Sequence, residues 1–456
     1  PVFTGPEGPY DLVELDVSDT GIIDLWPLAG LSELEVFRAA DNQLINTMPL
    51  EQLPRLRALD LSHNQLVDIA PLQGLENLVE FSVTGNPALT LAMVQPVIAN
   101  NPGLMQLGVG GIPIGDLSRL PIFSGPTGPY ALVELDVSDT GLDSLWPLNQ
   151  IPGLEILRAA HNRLIDTVPL DQLSQLRALD LSHNQLQDAI QLQPLQNLQE
   201  LYLTGNSELT QTMVQPVISN NPGLTHLGLG GIAIGDLSQL PIFSGTTGPY
   251  SLIELDVSDT GLVDLWLLAQ LPTLQVLLAA NNQLIDATPL DQLPLLRALD
   301  LSHNELVDVA PLPTLENLQE LTLTGNPALT LTMVQAVIAA NPGLTHLGVG
   351  GIPIGDLSLL PVFAGPTGPY SLVELDVSDT GVNDLSPLSP LLPALEVLRV
   401  ADNHVIDASP LGQSVRLRVI DLSDNQIELV HLLAGIPYLE FLDLRGNTGI
   451  QCDELD

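Results

Sequence analysis

The sequence predicts an α/β solenoid, a stack of short coils whose strands form a parallel sheet. Two periodicities support this prediction. A segment that begins at Gly8 as GPYDLVELDVSDTG returns almost unchanged at Gly128, Gly248 and Gly368, a period of 120 residues. Within each period, a shorter unit of the form L-x-x-L-x-L-x-x-N-x-L recurs every 22 to 28 residues. Repetition at periods of about 20 to 50 residues is typical of stacked coils, since a single coil cannot bury its own leucines.

Each short unit predicts one strand followed by a turn. In the third unit, alternation along the chain points Leu59 and Leu61 toward the core and Asp60 and Ser62 away from it. Asn64 then predicts a turn whose side-chain amide bonds the backbone of neighbouring turns. Nineteen such units fit the chain. Their strands are predicted to line the concave face of one arc, with short helices, 3-10 turns and loops on its convex face.

The predicted organisation is a single solenoid over residues 1–456. It divides into blocks 12–131, 132–251, 252–371 and 372–456, with residues 1–11 forming the tail of a preceding block. Two units in each full block are longer than the rest. The stretch 89–104 has enough residues for a helix on the convex side, and the stretch 115–132 carries a loop rich in glycine and proline.

The third unit carries a family resemblance. Its sequence LRALDLSHNQLVDIAPLQGLEN, residues 56–77, resembles the repeats of internalin-like bacterial extracellular leucine-rich-repeat proteins in the tail N-x-L-x-D-I-x-P-L-x-x-L. The 22-residue units share this pattern, and the longer units depart from it. The resemblance implies a secreted protein at a bacterial surface that recognises or adheres to another protein.

The sequence also predicts an extension at both ends, because residues 1–11 form the tail of a preceding block and the last coil lacks the kind of cap that internalin-like proteins carry. Cys452, the one cysteine of the sequence, lies where such proteins begin a disulfide-bonded cap. We therefore expect the native protein to continue past Asp456 into a cap with a second cysteine. We also expect it to begin upstream of Pro1 with a secretion signal. The alternative is that the exposed ends dock onto neighbouring copies.

The charge limits the partners. The net charge is −42, and all twelve basic residues are arginines. Such a surface repels nucleic acid and anionic membranes and favours cations or basic proteins. Adaptation to salty surroundings would also account for it. Gly, Pro and polar residues interrupt every apolar stretch, so no direct membrane insertion is predicted.

The residues at the strand ends form a candidate metal-binding rim. The first block places Asp19, Asp41 and His63 there, and the fourth places Asp379, Asp402 and Asp424. Carboxylates on adjacent strands suit Ca²⁺, and mixed Asp and His sets suit a transition metal. The alternative is a solvated rim of turn-forming residues. No cofactor is predicted apart from a metal ion at this rim, and Ca²⁺ is the first candidate.

The outward residues at mid-strand form a candidate partner-binding ladder. Arginines are predicted between two aspartates, in the order Asp16, Arg38, Asp60 in the first block. A second ladder is predicted from Glu35 with Arg57, Glu155 with Arg177 and Glu396 with Arg418. The candidate contact residues of the mid-strand row are Arg38, Asp60, Arg158, Tyr202 and Leu278. The alternative is that the arginines only neutralise neighbouring carboxylates.

Aromatic residues and glycines supply further candidate contacts. The tryptophans Trp26, Trp146 and Trp266 recur once per block on the convex side, near the loop that carries Phe123 and Tyr130. Packing of this loop against its neighbour accounts for them, and the alternative is a periodic contact patch, because such aromatic residues often anchor interfaces. Glycines at Gly108 and Gly110 predict a bare strip that a partner backbone could approach closely, or that relieves crowding beside the longer coils.

The sequence contains no pattern of catalytic or cysteine-based metal-ligating residues. We therefore predict a non-enzymatic protein without a catalytic site. The leading hypothesis is an extracellular recognition or adhesion scaffold that binds a protein. The alternative is a self-associating structural element of a filament, sheath or matrix, since the blocks would offer the same contact at every period.

Overall fold

The computed structural model describes residues 12–124, 130–244, 250–363, 370–430 and 432–450. The chain forms two compact units, Pro1–Gly228 and Leu229–Asp456. Both fold as a leucine-rich-repeat α/β solenoid, in which each coil contributes one three-residue strand to a parallel sheet. The predicted fold class is confirmed. The grouping of the whole chain into one solenoid of four blocks stays a prediction.

The strands lie where the L-x-L segments predict them. The first unit contains β1 (Glu14–Asp16), β2 (Val36–Arg38), β3 (Ala58–Asp60), β4 (Glu80–Ser82), β5 (Gln106–Gly108), β6 (Glu134–Asp136), β7 (Ile156–Arg158), β8 (Ala178–Asp180), β9 (Glu200–Tyr202) and β10 (His226–Gly228). The second contains β11 (Glu254–Asp256), β12 (Val276–Leu278), β13 (Ala298–Asp300), β14 (Glu320–Thr322), β15 (His346–Gly348), β16 (Glu374–Asp376), β17 (Val397–Arg399), β18 (Val419–Asp421) and β19 (Phe441–Asp443).

The register stacks the central apolar residue of each strand on that of the next. Leu15 pairs with Phe37, and Phe37 pairs with Leu59. Phe37, Leu59 and Phe81 are at most 1% exposed, and Leu61 is fully buried. The inward orientation predicted for the leucines of the third coil is therefore confirmed, and burial of these columns provides the main driving force for folding.

The side of each coil opposite the sheet carries short helices. The ten-residue helices α1 (Leu91–Asn100), α3 (Gln211–Asn220) and α5 (Leu331–Ala340) occupy the fourth coil of each full block, as predicted for 89–104. The short helices α2 (Pro121–Ser124) and α4 (Pro241–Ser244) precede the Gly/Pro-rich loops. The 3-10 helices are Trp26–Gly30, Met48–Gln52, Ala70–Gly74, Leu117–Arg119, Leu148–Gln150, Leu170–Gln172, Ile190–Leu192, Leu237–Gln239, Trp266–Gln270, Thr288–Gln292, Leu312–Thr314, Leu357–Leu359, Pro361–Phe363, Ser386–Leu388, Ser409–Gln413 and Leu433–Gly435.

A ladder of buried asparagines joins the coils after the strands. The Asn64 amide donates to Ala39 O of the preceding coil at 2.9 Å, and to Leu61 O and Ser62 O of its own coil. Its Oδ1 accepts from Leu44 N at 2.9 Å. The predicted bonding of Asn64 to neighbouring turns is confirmed. Each such side chain satisfies backbone groups that would otherwise be buried without a partner.

The sequence predictions about the ends fall mostly outside the described residues. Pro1 to Asp11 and Gln451 to Asp456, including Cys452, are not described. In the last described coil, Leu439, Leu442 and Leu444 are half-buried, whereas the corresponding leucines of the third coil, Leu56, Leu59 and Leu61, are buried. The expected extensions of the chain stay predictions.

Candidate functional site: the open face of the sheet

The open face of the sheet carries the side chains that point away from the core. In the first unit its central row runs, strand by strand, through Asp16, Arg38, Asp60, Ser82 and Gly108. In the second unit, Leu278 lies between Asp256 and Asp300. The predicted neighbours within this row are confirmed.

The arginines of the row pair with glutamates rather than with the predicted aspartates. Arg38 Nη1 lies 2.7 Å from Glu14 Oε1. Arg158 pairs in the same way with Glu134, and Arg399 pairs with Glu374. The direct ion pairs of Arg38 and Arg158 are therefore with glutamates, whereas Asp16 and Asp136 on the adjacent strands act on these arginines through their charge.

The reason is that the aspartates bond within their own turns. Asp16 Oδ1 accepts from Ser18 N at 2.9 Å, and Asp60 Oδ1 accepts from Ser62 N at 3.0 Å. Hydrogen bonds from the Ser18 amide and hydroxyl lower the pKa of Asp16 below its ordinary value. The short aspartate side chain is thus held at the turn, and the longer guanidinium reaches the glutamate at the other end of the preceding strand.

Arg158 is the arginine of this row whose pKa is clearly shifted. Burial of its guanidinium opposes the charged form, but the hydrogen bond and charge of Glu134, with further help from Asp136 and Glu200, raise its pKa above the ordinary value. Asp136 therefore acts on Arg158 through its charge, as the sequence predicts, without a hydrogen bond.

The second predicted ladder is confirmed in part. Arg177 pairs with Glu155. Glu396 instead pairs with Arg416 at 3.3 Å, and Arg418 pairs with Glu440 at 2.9 Å. The predicted Glu396–Arg418 pair is wrong because Arg418 extends toward the following coil. These side chains are roughly one-third to two-thirds exposed, so each pair stabilises the fold by about 0–1 kcal/mol.

A depression of about 230 Å³ opens on the sheet face of the first unit. It is centred on β4, β5 and β6, and its polar lining includes Arg38, Asp60, Glu80, Gln106, Glu134 and Arg158. Asp136 also lines it, so four carboxylates face two guanidinium groups. A second depression, of about 260 Å³, lies over the corresponding strands β14 to β16 of the second unit. The arrangement suits a ligand that carries positive charge.

Each depression includes one glycine of the central row, Gly108 in the first unit and Gly348 in the second. A Cβ atom added to Gly108 would lie 2.9 Å from Thr84 Oγ1 and would also collide with Ser82 Oγ. In the second unit, a Cβ atom on Gly348 would lie 2.8 Å from Thr322 Cγ2. The side chains of the preceding strand thus lean over the glycine, which supports the crowding explanation for the glycine strip.

The predicted bare strip is covered rather than open. Gly108 and Gly110 are buried. Thr84 reaches across them, donating from Oγ1 to Asp136 Oδ2 at 2.9 Å and accepting from Gly110 N at 3.1 Å. In the second unit, Thr324 makes the same bridge to Asp376, at 3.3 Å. The prediction that a partner backbone approaches the strip closely is wrong, since side chains from both neighbouring coils already occupy that space.

Tyr202 and Leu278 are the two remaining predicted contact residues of the central row. Tyr202 is half-buried on β9, and its Cδ1 lies 2.8 Å from the place of a Cβ atom on Gly228. Leu278 is half-buried where Arg38 and Arg158 stand in other blocks. Nothing in the structure explains the change from arginine to leucine. A contact of either residue with a partner stays a prediction.

The rim residues share one backbone conformation. At the strand-end position, all the described coils have a positive φ, close to 53° for the residues that are not glycine. These residues are Asp19, Asp41, His63, Gly85, Gly111, Asp139, His161, His183, Gly205, Gly231, Asp259, Asn281, His303, Gly325, Gly351, Asp379, Asp402, Asp424 and Gly446. Left-handed backbone favours Gly, Asn, Asp and His. The turn conformation therefore accounts for the residue types at the rim.

This explanation does not require a metal. Among the described residues, no group of three or more His, Cys, Asp or Glu side chains converges as metal ligands would. The imidazole of His63 lies over Gly85, where a Cβ atom would approach its Nδ1 to 2.5 Å. In the second block, His161 and His183 stack with ring centroids 4.4 Å apart. Cation binding at the rim stays a prediction without support from this geometry.

The aromatic candidates separate into exposed and buried residues. Trp26, Trp146 and Trp266 are 58%, 50% and 59% exposed. Tyr130 is buried, and its hydroxyl donates to Ile98 O of helix α1 at 2.9 Å. The prediction of Tyr130 as a partner contact is therefore wrong, because it fastens the loop to the preceding coil. Phe123 is half-buried.

Tyr130 and its counterpart Tyr370 predict a pH dependence. Burial raises the pKa of both phenols, so the stability they contribute is present below the pKa of an unfolded tyrosine, about 10, and is lost as pH rises through the folded value. We expect stability to fall above pH ~10, and to fall less in Tyr130→Phe/Tyr370→Phe. Denaturant titrations at several alkaline pH values measure this. Tyr438→Phe provides the control, since it replaces an exposed tyrosine and leaves the buried phenols in place.

Sequence reasoning missed a row of exposed aliphatic residues beside the asparagine ladder. It includes Ile23, Ile45 and Val67 in the first unit and Val263, Ile285 and Val307 in the second. The sequence pattern that indicates this row is a β-branched apolar residue three positions after the ladder asparagine of a coil. In the first coil of a block, a threonine takes the place of the asparagine.

Comparisons with known proteins are consistent with this fold. A family model described as "Leucine Rich repeat" matches residues 173–190. A protein phosphatase PHLPP-like protein from Drosophila melanogaster is 42% identical over 60 residues, which are 13% of this chain and 6% of that protein. The chain therefore matches only a small part of that relative's length.

Solved structures with a similar fold come from bacteria and plants. The functional domain of InlJ from Listeria monocytogenes is 18% identical, with 87% of this chain and 74% of that chain covered and a TM-score of 0.39. The Leptospira interrogans leucine-rich-repeat protein LIC12759 is 21% identical, with 98% of this chain and 92% of that chain covered and a TM-score of 0.39. The ectodomain of the receptor kinase GASSHO1/SCHENGEN3 from Arabidopsis thaliana is 21% identical, with 93% of this chain and 57% of that chain covered and a TM-score of 0.45. These likenesses concern the fold alone.

The chain is thus a leucine-rich-repeat solenoid whose sheet has an exposed polar face. Within the described ranges, no helix has the length and apolar character needed to cross a membrane.

Proposed function

We propose that this protein is a non-enzymatic, extracellular recognition or adhesion scaffold of a bacterial surface, and that the open face of its sheet binds a protein partner. The observation that carries the proposal is the depression over β4 to β6, with its counterpart over β14 to β16. The resemblance of residues 56–77 to internalin-like repeats supports the extracellular and bacterial parts of the proposal.

The charge of the depression specifies the partner further. Glu14 and Glu134 already pair with the two arginines at its edges. Asp60, Glu80 and Asp136 add further negative charge to the lining. A partner that presents lysine or arginine side chains fits this surface, and association should weaken with salt.

The non-enzymatic part of the proposal is supported by the causes of the pKa shifts among the described residues. The aspartates Asp116, Asp236 and Asp384 have pKa values lowered by the serine two residues later, as in ordinary turn caps. The shifted arginines are held by ion pairs. Catalytic acids and bases are instead tuned toward the working pH in a cleft.

The proposal is tested by filling the depression. Gln106 is half-buried on β5 and lines it. Gln106→Trp should weaken binding of the labelled protein to host cells or a matrix-protein array at least tenfold, because the indole occupies the partner's space. The exposed Glu51 lies on a 3-10 helix away from the sheet, and Glu51→Trp is the control. Equal binding by both variants and the unmodified chain would exclude the open face as the recognition surface.

Self-association into an extracellular structure is the second candidate function. The repeated exposure of Trp26, Trp146 and Trp266 favours it, because the same apolar contact recurs along the chain. Sedimentation velocity over a range of protein concentrations distinguishes the two: a scaffold for a different protein stays monomeric, whereas a structural element forms larger species.

A further inference from the structure

A second surface of the chain displays apolar residues in register. We call it the aliphatic row: Ile23, Ile45 and Val67 in the first unit, and Val263, Ile285 and Val307 in the second. Each of the six side chains is at least half exposed, and Ile23 reaches 63%. The row follows the asparagine ladder and is separate from the open face of the sheet.

The backbone explains why these side chains point outward. Leu44 and Leu66, one residue before Ile45 and Val67, are fully buried. Val67 N donates to Ile45 O at 3.0 Å, and Val307 N donates to Ile285 O at 3.0 Å. Extended backbone alternates its side chains between two sides. Burial of the ladder leucines therefore forces the next β-branched residue of each coil into solvent, one above another.

Acidic residues flank the aliphatic row on the side that follows it in sequence. They are Asp24 and Asp68 in the first unit, and Asp264, Asp286 and Asp308 in the second. Asp68 Oδ1 accepts from Ala70 N at 2.8 Å, and Asp308 Oδ1 accepts from Ala310 N at 2.8 Å. One oxygen thus holds the turn, and the exposed carboxylate group lies at the edge of the apolar surface.

Larger apolar side chains extend the surface beyond the acidic residues. Trp26 and Trp266 begin the 3-10 helices that follow, and Met48 is 50% exposed at the equivalent place of the next coil. Large apolar side chains that stay exposed at neighbouring places of successive coils favour an interaction site. Its acidic border indicates that the occupant carries positive charge beside its apolar residues.

We propose that the aliphatic row of each unit docks the apolar face of a basic amphipathic α-helix from another protein. Consecutive coils are about 4.8 Å apart, and one helical turn rises about 5.4 Å. A helix lying along the row therefore offers roughly one apolar side chain to each of three coils. Its flanking lysines or arginines face the acidic residues. This is the helix-in-groove mode of recognition, applied to a row of stacked coils.

The charge of the chain argues against a second copy as the occupant. A net charge of −42 opposes face-to-face approach of two acidic borders. The ten-residue helices α1, α3 and α5 contain no lysine or arginine, so they do not supply a basic face. Another protein with a basic helix satisfies both the apolar and the charged parts of the surface.

The second block offers an internal control. Its equivalent positions are Asp143, Ile165 and Gln187, so two of the three aliphatic residues are replaced by polar ones. Gln187 N still donates to Ile165 O at 3.0 Å, as in the other blocks. The coil geometry therefore accepts polar residues here, and substitutions copied from the second block should preserve the fold.

The experiment exchanges these identities in the full chain. The loss variant carries Ile23→Asp, Val67→Gln, Val263→Asp and Val307→Gln. The gain variant carries Asp143→Ile and Gln187→Val. The probe is a fluorescent synthetic helix with leucines at i, i+3, i+4 and i+7 and lysines on both flanks. A scrambled peptide of the same composition is the control. Fluorescence anisotropy gives Kd, and circular dichroism melting confirms that each variant is folded.

We expect the amphipathic peptide to bind the unmodified chain and the loss variant to bind it at least about tenfold more weakly, since one buried aliphatic contact is worth about a factor of ten. The gain variant should bind one peptide more per chain than the unmodified chain, because it adds a third row. Equal binding of the scrambled peptide, or unchanged affinity in the folded loss variant, overturns the proposal in favour of non-specific attraction. Sedimentation that shows the row only mediating self-association also overturns it. Gln106→Trp should leave this binding unchanged, which separates this proposal from the open-face site.

Discussion

Asn64→Ala is expected to lower the free energy of unfolding by about 2–4 kcal/mol. The Asn64 side chain is 4% exposed and bonds three carbonyl groups and one amide from two coils. Alanine leaves Leu44 N buried without its acceptor and removes the bridge to Ala39 O. Urea denaturation followed by circular dichroism measures the loss.

Asn77 is the matched control. It is an exposed asparagine that donates to Pro54 O at 3.2 Å on the outside of the coil. Because water can replace this bond, Asn77→Ala should change the free energy of unfolding by no more than about 0.5 kcal/mol. A similar small effect for both variants would show that the asparagine ladder contributes little and that leucine burial alone joins the coils.

His63→Val is expected to destabilise the protein by about 2–3 kcal/mol, whereas His63→Asn should be nearly neutral. His63 has a φ of 51°. A β-branched residue is strained in this left-handed conformation, and asparagine tolerates it. Valine also loses the packing of the imidazole over Gly85. Thermal melts of the two variants side by side provide the measurement.

The same pair of variants distinguishes the backbone explanation from metal binding at the rim. If the rim residues served chiefly as metal ligands, millimolar Ca²⁺ would raise the melting temperature of the unmodified chain. Substitutions at Asp402 and Asp424 would then remove that increase. We expect no dependence on Ca²⁺ or EDTA. Equal stability of His63→Val and His63→Asn would contradict the backbone explanation.

The sequence predicts the solenoid because its leucines have only one way to be buried. The L-x-L spacing defines each strand, and β1 to β19 lie at those segments. The helix in 89–104 is predicted by length alone, because a 26-residue unit must accommodate extra residues on the outside. Asn64 is predicted as a bridge since a turn amide among buried leucines needs a partner.

The details of the open face depend on reach and conformation, which the repeat pattern does not encode. Arg38 pairs with Glu14 because Asp16 is already held by Ser18, a competition visible only in three dimensions. Tyr130 is buried and its hydroxyl donates to Ile98 O, although the Gly/Pro-rich sequence around it suggests a surface loop. The rim residues are consistent with a cation site in sequence, and only their φ angles reveal the conformational requirement.

The left-handed rim also bears on how the duplicated blocks diverge. At the second coil, the four blocks place Asp41, His161, Asn281 and Asp402 on the same backbone, with φ between 53° and 54°. Mutations among these residue types keep the turn intact, so drift after duplication can proceed there at little cost to folding. The residue at that edge can therefore change between aspartate, asparagine and histidine from one block to the next. Its charge changes with it, while the fold of the coil stays the same.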